Sequence, residues 1–134
     1  FLARELAKEG HTSINSGKDI CVITPETNAN NQMIFRDNIQ KHVFNKQILL
    51  LISSASTGKT INRSVECLQY YNGQLAGVAS IFSAINEHNG IQINSIFTSE
   101  DLNNYETMSA HDCKLCKSGQ KVDAIINSFG YSKI

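Results

Sequence analysis

The sequence predicts an α/β domain built on a parallel β-sheet, because a strand, a helix and a second strand follow one another. Gln47 to Ile52 (QILLLI) is apolar at every position after the first, which is typical of a strand covered on both faces in a parallel sheet. Apolar residues at helical spacing come next and end at Asn72-Gly73: Ile61, Val65, Leu68 and Tyr71. A third apolar run, Gln74 to Phe82, completes a β-α-β unit, whose crossover we expect to be right-handed.

The segments on either side supply further elements. Phe1 to Lys8 is predicted to be a short amphipathic helix that ends at Gly10. Asp19 to Thr24 (DICVIT) is rich in strand formers and stops at Pro25, which predicts a first strand. A strand is expected at Ile91 to Phe97. A last amphipathic helix, closed by Gly130, is predicted from four apolar residues: Val122, Ile125, Ile126 and Phe129.

Residues 26–46 are dominated by Asn, Gln and charged side chains around a small apolar island, Met33 to Phe35. They are interpreted as a long loop with room for a hairpin. Because long connections inside a compact domain are usually functional, we expect this loop to be a mobile lid over a binding site.

Length and charge limit the possible classes of function. The 134 residues fit one domain, and 12 basic residues balance 12 acidic ones, so bulk charge gives no attraction for nucleic acid. The longest apolar run, Ile48 to Ile52, is far shorter than the about 20 residues of a membrane helix, which predicts a soluble protein. The uneven spread of the four cysteines favours a reducing cytoplasm. The chain opens at Phe1 directly in a helical pattern, so we expect it to lack its natural N-terminus.

The motif most informative about function follows the buried strand. Ser56, Thr57, Gly58, Lys59 and Thr60 lie between that strand and the helix, where free backbone N–H groups and the positive end of the helix dipole bind anions. Hydroxyl groups, a glycine that allows close approach and a lysine charge suit phosphate. The alternative is a Ser/Thr-rich turn that only caps the helix.

The Gly-Lys-Thr triplet also occurs in P-loop nucleotide-binding proteins. That motif requires a glycine at position 53, where this chain has Ser53. It also requires a later strand ending in an acid that helps to hold magnesium, and after the helix no acid occurs before Glu87. This interpretation is kept as a minor alternative.

The order of strand, Ser-Thr-Gly-Lys-Thr loop, helix and strand from Ile48 to Phe82 resembles the signature region of the type I phosphoribosyltransferases. The tail with Cys113 and Cys116, ending in NSFGYSKI, resembles the orotate phosphoribosyltransferase branch. The resemblance implies a Rossmann-like parallel sheet flanked by helices, and a loop at Ser56 to Thr60 that holds the 5-phosphate of phosphoribosyl pyrophosphate or a nucleotide. It also implies Mg²⁺, a homodimer, and transfer of phosphoribose to orotate or another nucleobase in pyrimidine biosynthesis.

The chain departs from the family pattern next to the loop. Ile52 and Ser53 stand where the family has two adjacent acids that contact the ribose hydroxyls, so Ser53 and Ser54 are only a degenerate ribose site. Nearby negative charge stabilises an oxocarbenium-like transition state, and its loss is expected to weaken catalysis more than phosphate binding. A non-catalytic nucleotide-binding or regulatory protein is therefore the second hypothesis.

Two further groups are candidates for binding. Arg36, Asp37 and Lys41 in the polar loop could contact pyrophosphate or a base, although ordinary surface charges are an equally good interpretation. In residues 111–119, the Cys-containing loop, three side chains have the spacing of zinc ligands: His111, Cys113 and Cys116. No fourth ligand is evident, and a reduced, metal-free turn is the favoured alternative.

Overall fold

The computed structural model describes residues 1–8, 19–30, 32–109, 111–127 and 129–134. The chain divides into two compact units, Phe1–Asp101 and Leu102–Ile134. The first unit contains, in chain order, α1 Leu2–Leu6, β1 Glu26–Thr27, β2 Met33–Ile34, α2 Asp37–Gln40, β3 Gln47–Ala55, α3 Lys59–Tyr70, β4 Gln74–Ser83, β5 Glu87–His88 and β6 Ile91–Thr98. The second contains α4 Lys114–Lys117, β7 Ala124–Asn127 and β8 Gly130–Lys133.

The first unit is organised around a four-stranded mixed sheet in the order β3-β4-β6-β5. β3 runs parallel to β4 and β4 runs parallel to β6, whereas the short β5 is antiparallel to β6. Since α3 joins the parallel neighbours β3 and β4, the predicted strand-helix-strand unit is confirmed. The strand predicted at Ile91 to Phe97 is confirmed as β6. The protein is thus a mixed α/β protein with a central mixed sheet flanked by helices.

One hydrophobic cluster joins the sheet to the beginning of α3. Its buried members come from three strands and the helix: Ala55, Ile61, Val78 and Ile93. Leu50 and Ile52 of β3 pack against it. Because Ala55 ends β3 and Ile61 lies in the first turn of α3, the same cluster holds both ends of the short connection between them.

A second cluster lies at the other end of α3 and includes residues from the segment predicted to be a loop. Phe35 and Val43 are buried there with Cys67 and Leu68 of α3. The Cys67 thiol donates to the carbonyl of Met33 at 3.3 Å, and burial raises the pKa of this thiol. Residues 26–46 contain the short hairpin for which the sequence left room, and in addition a helical turn and two core residues. Their movement as a lid stays a prediction.

Two predicted features of the sheet are wrong. Asp19 to Thr24 form no strand, because a run of strand formers still needs a backbone partner, and only Ile23 packs against the second cluster. β3 is not covered on both faces: the side chains of Leu49 and Leu51 are 44% and 59% exposed. The alternation of half-buried and exposed residues along β3 shows that only one face of this strand is packed.

The predicted C-terminal helix is also wrong. β7 and β8 form an antiparallel hairpin in which Asn127 pairs with Gly130. The Asn127 side chain accepts a hydrogen bond from the Phe129 N–H at 2.9 Å, and Gly130 has φ 128°, which a helix does not allow. The four apolar residues of the predicted helix have the spacing of a helix face, but Val122, Ile125 and Ile126 are β-branched and favour a strand. Residues 124–127 pair with residues 130–133 instead.

The helix predicted at Phe1 to Lys8 is confirmed as α1, whereas its predicted end at Gly10 lies outside the described residues. Among the described residues, no helix has the length and apolar character needed to cross a membrane.

Candidate functional site

The candidate site is the connection from β3 to α3, Ser56 to Gly58, together with the first turn of α3. Gly58 is the N-cap residue of α3 and has φ 73°. Because glycine has no side chain, no side-chain hydrogen bond caps the helix. The Gly58 carbonyl accepts the N–H of Asn62 at 3.0 Å, which is the first hydrogen bond of the helix. Within the described part of the chain, the backbone N–H groups of Thr57 to Thr60 donate to no protein acceptor. Several N–H donors are therefore available at the positive end of a 12-residue helix.

These donors surround a small cavity of about 120 Å³. The described residues that line it are continuous in sequence, from Ser54 to Ile61, and none of them is acidic. Gly58 is buried, whereas Thr57, Lys59 and Thr60 are exposed, so their side chains are accessible from solvent. A cavity of this size with N–H, hydroxyl and ammonium donors suits a compact anion.

The end of β3 is fixed by its neighbour β4. The Ala55 carbonyl accepts the N–H of Ala84 at 2.8 Å. The buried hydroxyl of Ser83 lies 3.4 Å from the same carbonyl and donates to the carbonyl of Ile85 at 2.6 Å. The loop therefore leaves the sheet from a fixed position at the carboxyl edge of the parallel strands, where ligands of open α/β sheets bind.

Three residues next to the site were not predicted from the sequence: Asn62, His88 and Asn89. The ring of His88, in β5, lies against Gly58, and its Nε2 is 2.9 Å from the side-chain oxygen of Asn62. The Asn89 amide donates to the same oxygen at 3.1 Å. His88 and Asn62 are 26 residues apart in the sequence, so no local pattern links them. The only local signal is the Asn89-Gly90 pair, which is typical of a hairpin turn.

Ile52 and Ser53, at which the phosphoribosyltransferase resemblance would place two acids, lie on different sides of the strand. Ile52 packs against the cluster formed by Ala55, Ile61, Val78 and Ile93. Ser53 and Ser54 are exposed, and of these two only Ser54 lines the cavity. An acid at position 52 would face apolar side chains, so Ile52 serves packing in this chain.

The charged residues predicted to reach the ligand do not line the cavity. Arg36 forms an ion pair with Glu26, in which Nη2 is 3.0 Å from Oε2. The hydrogen bond from Arg36 lowers the pKa of the Glu26 carboxyl. Asp37 accepts from the Gln40 side chain at 3.0 Å, and Lys41 borders a separate groove near Tyr70 and the end of α3.

The Cys-containing loop belongs to the second unit. Cys113 caps α4, and its sulfur accepts the Cys116 N–H at 3.2 Å. The thiol of Cys116 also donates to Cys113, which lowers the pKa of Cys113 and raises that of Cys116. In the described residues, no three or more His, Cys, Asp or Glu side chains, His111 included, are grouped to hold a metal ion. Zinc at this loop stays a prediction.

Comparison with known proteins assigns no family to the chain. No protein-family model matches it. No curated protein matches it with significance either.

Proposed function

We propose that this protein binds the 5-phosphate of phosphoribosyl pyrophosphate or of a nucleotide at Ser56 to Thr60, in the manner of a type I phosphoribosyltransferase. The observation that carries the proposal is the set of N–H groups of Thr57 to Thr60 around a small cavity, none of which has an acceptor among the described residues. Backbone N–H groups at a helix N-terminus are well suited to phosphate, and they bind it without a large positive surface. The neutral net charge of the chain is consistent with such local recognition.

The chemistry of the side chains favours a phosphate monoester over a carboxylate. Ser56, Thr57 and Thr60 supply hydroxyl donors, and Lys59 supplies a charged one. A phosphate group has three peripheral oxygens to satisfy, whereas a carboxylate has two, so many converging donors fit phosphate better. The position at the carboxyl edge of parallel strands matches the usual place of nucleotide sites in α/β sheets.

An enzyme of this class would transfer phosphoribose from its pyrophosphate to orotate or another nucleobase. The family resemblance implies Mg²⁺, but the described residues that line the cavity include no carboxylate. They therefore do not fit a metal ion held by the protein. A homodimer and a cytoplasmic location remain predictions.

A second candidate is a non-catalytic protein that binds the same ligand. Ile52 packs in the core and Ser53 is uncharged, so neither contributes the negative charge that would stabilise a ribosyl transition state. Phosphate binding does not need negative charge at these two positions. The loop can therefore bind the ligand without catalysis, as a regulatory protein would.

The binding site is tested by amide NMR titration with inorganic phosphate, ribose 5-phosphate and phosphoribosyl pyrophosphate. We expect the largest shifts at Thr57 to Thr60 and tighter binding of the ribose phosphates than of inorganic phosphate. Shifts centred elsewhere in the chain would reject the site.

The two candidates are separated by an assay for pyrophosphate release with orotate and the common purine bases. Release with any base supports the enzyme. Binding of phosphoribosyl pyrophosphate without turnover on any base would leave the non-catalytic protein as the function.

A further inference from the structure

The backbone at Gly58 is in contact with a side chain from another part of the fold. A Cβ atom added to Gly58 would lie 2.3 Å from both Cε1 and Nδ1 of His88. The contact is therefore between the ring and the backbone itself, at the residue that caps α3. Because Gly58 is also in the left-handed region, with φ 73°, this position excludes a side chain both by space and by conformation.

The orientation of the His88 ring is set by two asparagines. The side-chain oxygen of Asn62 accepts from the Asn89 amide at 3.1 Å, so the atom 2.9 Å from the His88 Nε2 is an acceptor. In the tautomer with its hydrogen on Nε2, the ring donates this hydrogen to Asn62, and the Asn89 amide nitrogen lies 3.5 Å from the same Nε2. These two contacts orient the imidazole. Asn62 lies in α3, one turn beyond Gly58. The ring is therefore in contact with the helix that directly follows the loop.

The backbone of His88 is held on the sheet that supports the loop. His88 pairs with Ile91 across the hairpin of β5 and β6. The Ile93 N–H donates to the Asn86 carbonyl at 3.0 Å, and the Ile93 side chain lies in the cluster that includes Ala55 and Ile61. The ring and the two ends of the loop are thus supported by one core.

We propose that His88 is a positioning residue for the loop from Ser56 to Thr60. This proposal rests on the phosphate site proposed above. His88 does not line the cavity. It packs against the backbone of Gly58, and its hydrogen bond to Asn62 holds that contact, so the N–H groups of Thr57 to Thr60 converge before an anion arrives. Donors that are already oriented bind without the cost of ordering the loop.

The first test compares His88→Ala with two other variants by titration with ribose 5-phosphate and by the backbone ¹⁵N order parameters of Thr57 to Lys59. We expect His88→Ala to weaken binding of ribose 5-phosphate about tenfold, which equals the loss of one or two hydrogen bonds, and to lower the order parameters of the loop. His88→Gln keeps an N–H that can reach Asn62. Its affinity for ribose 5-phosphate should stay within about threefold of that of the original protein. The control His42→Ala removes an exposed histidine away from the loop and should change neither readout.

The second test asks whether the ring and Gly58 act on each other. Gly58→Ala should abolish measurable binding, since it is strained and also displaces the ring. In the double variant Gly58→Ala/His88→Ala the clash is gone and only the backbone strain remains, so binding should partly return. A double variant that binds ribose 5-phosphate no better than Gly58→Ala would overturn the proposal.

The outcomes separate this proposal from the proposed function. If the original protein binds no phosphate, the proposed function is rejected, and the loop order parameters alone decide the role of His88: lower values in His88→Ala support it and unchanged values overturn it. If His88→Ala does not fold, Asn62→Ala serves instead, because it removes the acceptor and leaves the ring. Unaltered loop order parameters and unaltered binding in Asn62→Ala would contradict the proposal.

Discussion

The two ends of α3 differ in what lies against the nearest glycine. At the N-terminal end, Gly58 faces the polar ring of His88, and the loop is open to solvent. At the C-terminal end, a Cβ on Gly73 would lie 2.8 Å from Cδ1 of Ile48 and 3.0 Å from Cγ1 of Val43, both apolar. At the N-terminal end, backbone N–H donors without an acceptor among the described residues surround a small cavity. At the C-terminal end, the helix packs in a hydrophobic cluster. We infer that binding depends on the first end and stability on the second.

The largest expected effect comes from the C-terminal end. Leu68→Ala removes a side chain that is 5% exposed in the second cluster and should lower the free energy of unfolding by about 3 kcal/mol. Ribose 5-phosphate should bind the folded variant unchanged. Urea unfolding gives the first quantity and NMR titration the second. The control Leu51→Ala, at a 59% exposed position, should cost about 0.5 kcal/mol or less.

Gly73→Ala tests the same end by adding a group instead of removing one. The new methyl must displace the side chains of Ile48 and Val43, so we expect the free energy of unfolding to fall by about 1–3 kcal/mol. The affinity for ribose 5-phosphate should stay the same, in contrast to Gly58→Ala. Weakened binding in Gly73→Ala without a loss of stability would show that the two ends are not independent.

Lys59→Ala acts at the N-terminal end. The lysine is exposed at the start of α3, so its removal should leave the free energy of unfolding almost unchanged. Loss of a charged donor should weaken ribose 5-phosphate binding about tenfold, or about 1.4 kcal/mol. Lys46→Ala is the matched control, because Lys46 precedes the opposite end of β3. Equal effects of the two variants would point to general charge attraction instead of a site.

The smallest expected effect concerns the ion pair of Arg36 and Glu26, which lies in the segment that packs against the C-terminal end. Arg36→Ala should raise the pKa of Glu26 toward its ordinary value, as measured by NMR of the carboxyl carbon. Since the folded pKa is lowered, the pair stabilises the protein above the unfolded pKa of about 4.3, and this contribution is lost as the pH falls through the folded pKa. The control Arg63→Ala should leave Glu26 unaffected.

Local patterns in the sequence predict the part of the molecule that positions the site. The run from Gln47 to Ile52 and the apolar spacing of Ile61 to Tyr71 identify β3 and α3, because each depends on residues close together in the chain. Two predictions were wrong for the opposite reason: the strand at Asp19 to Thr24 and the C-terminal helix. Their outcome depends on distant backbone partners, which short-range patterns do not contain.

The same distinction applies to the site. Ser56 to Thr60 are brought together by the chain itself, so the loop is evident from its sequence. His88 reaches Gly58 only through the register of β5 with β6 and of β6 with β4. A contact made by three strands cannot be inferred from spacing, and the asparagines that orient the ring are polar residues like many others in this chain.

The position of β3 has a consequence for the handling of the protein. It is an edge strand of the described sheet, nine residues long, with five consecutive aliphatic residues and no proline or charge. Such an edge offers its free N–H and C=O groups to a strand of another molecule, which is how β-aggregation begins. We expect Leu49→Lys to delay the onset of light scattering on warming, whereas an unchanged onset would show that aggregation starts elsewhere.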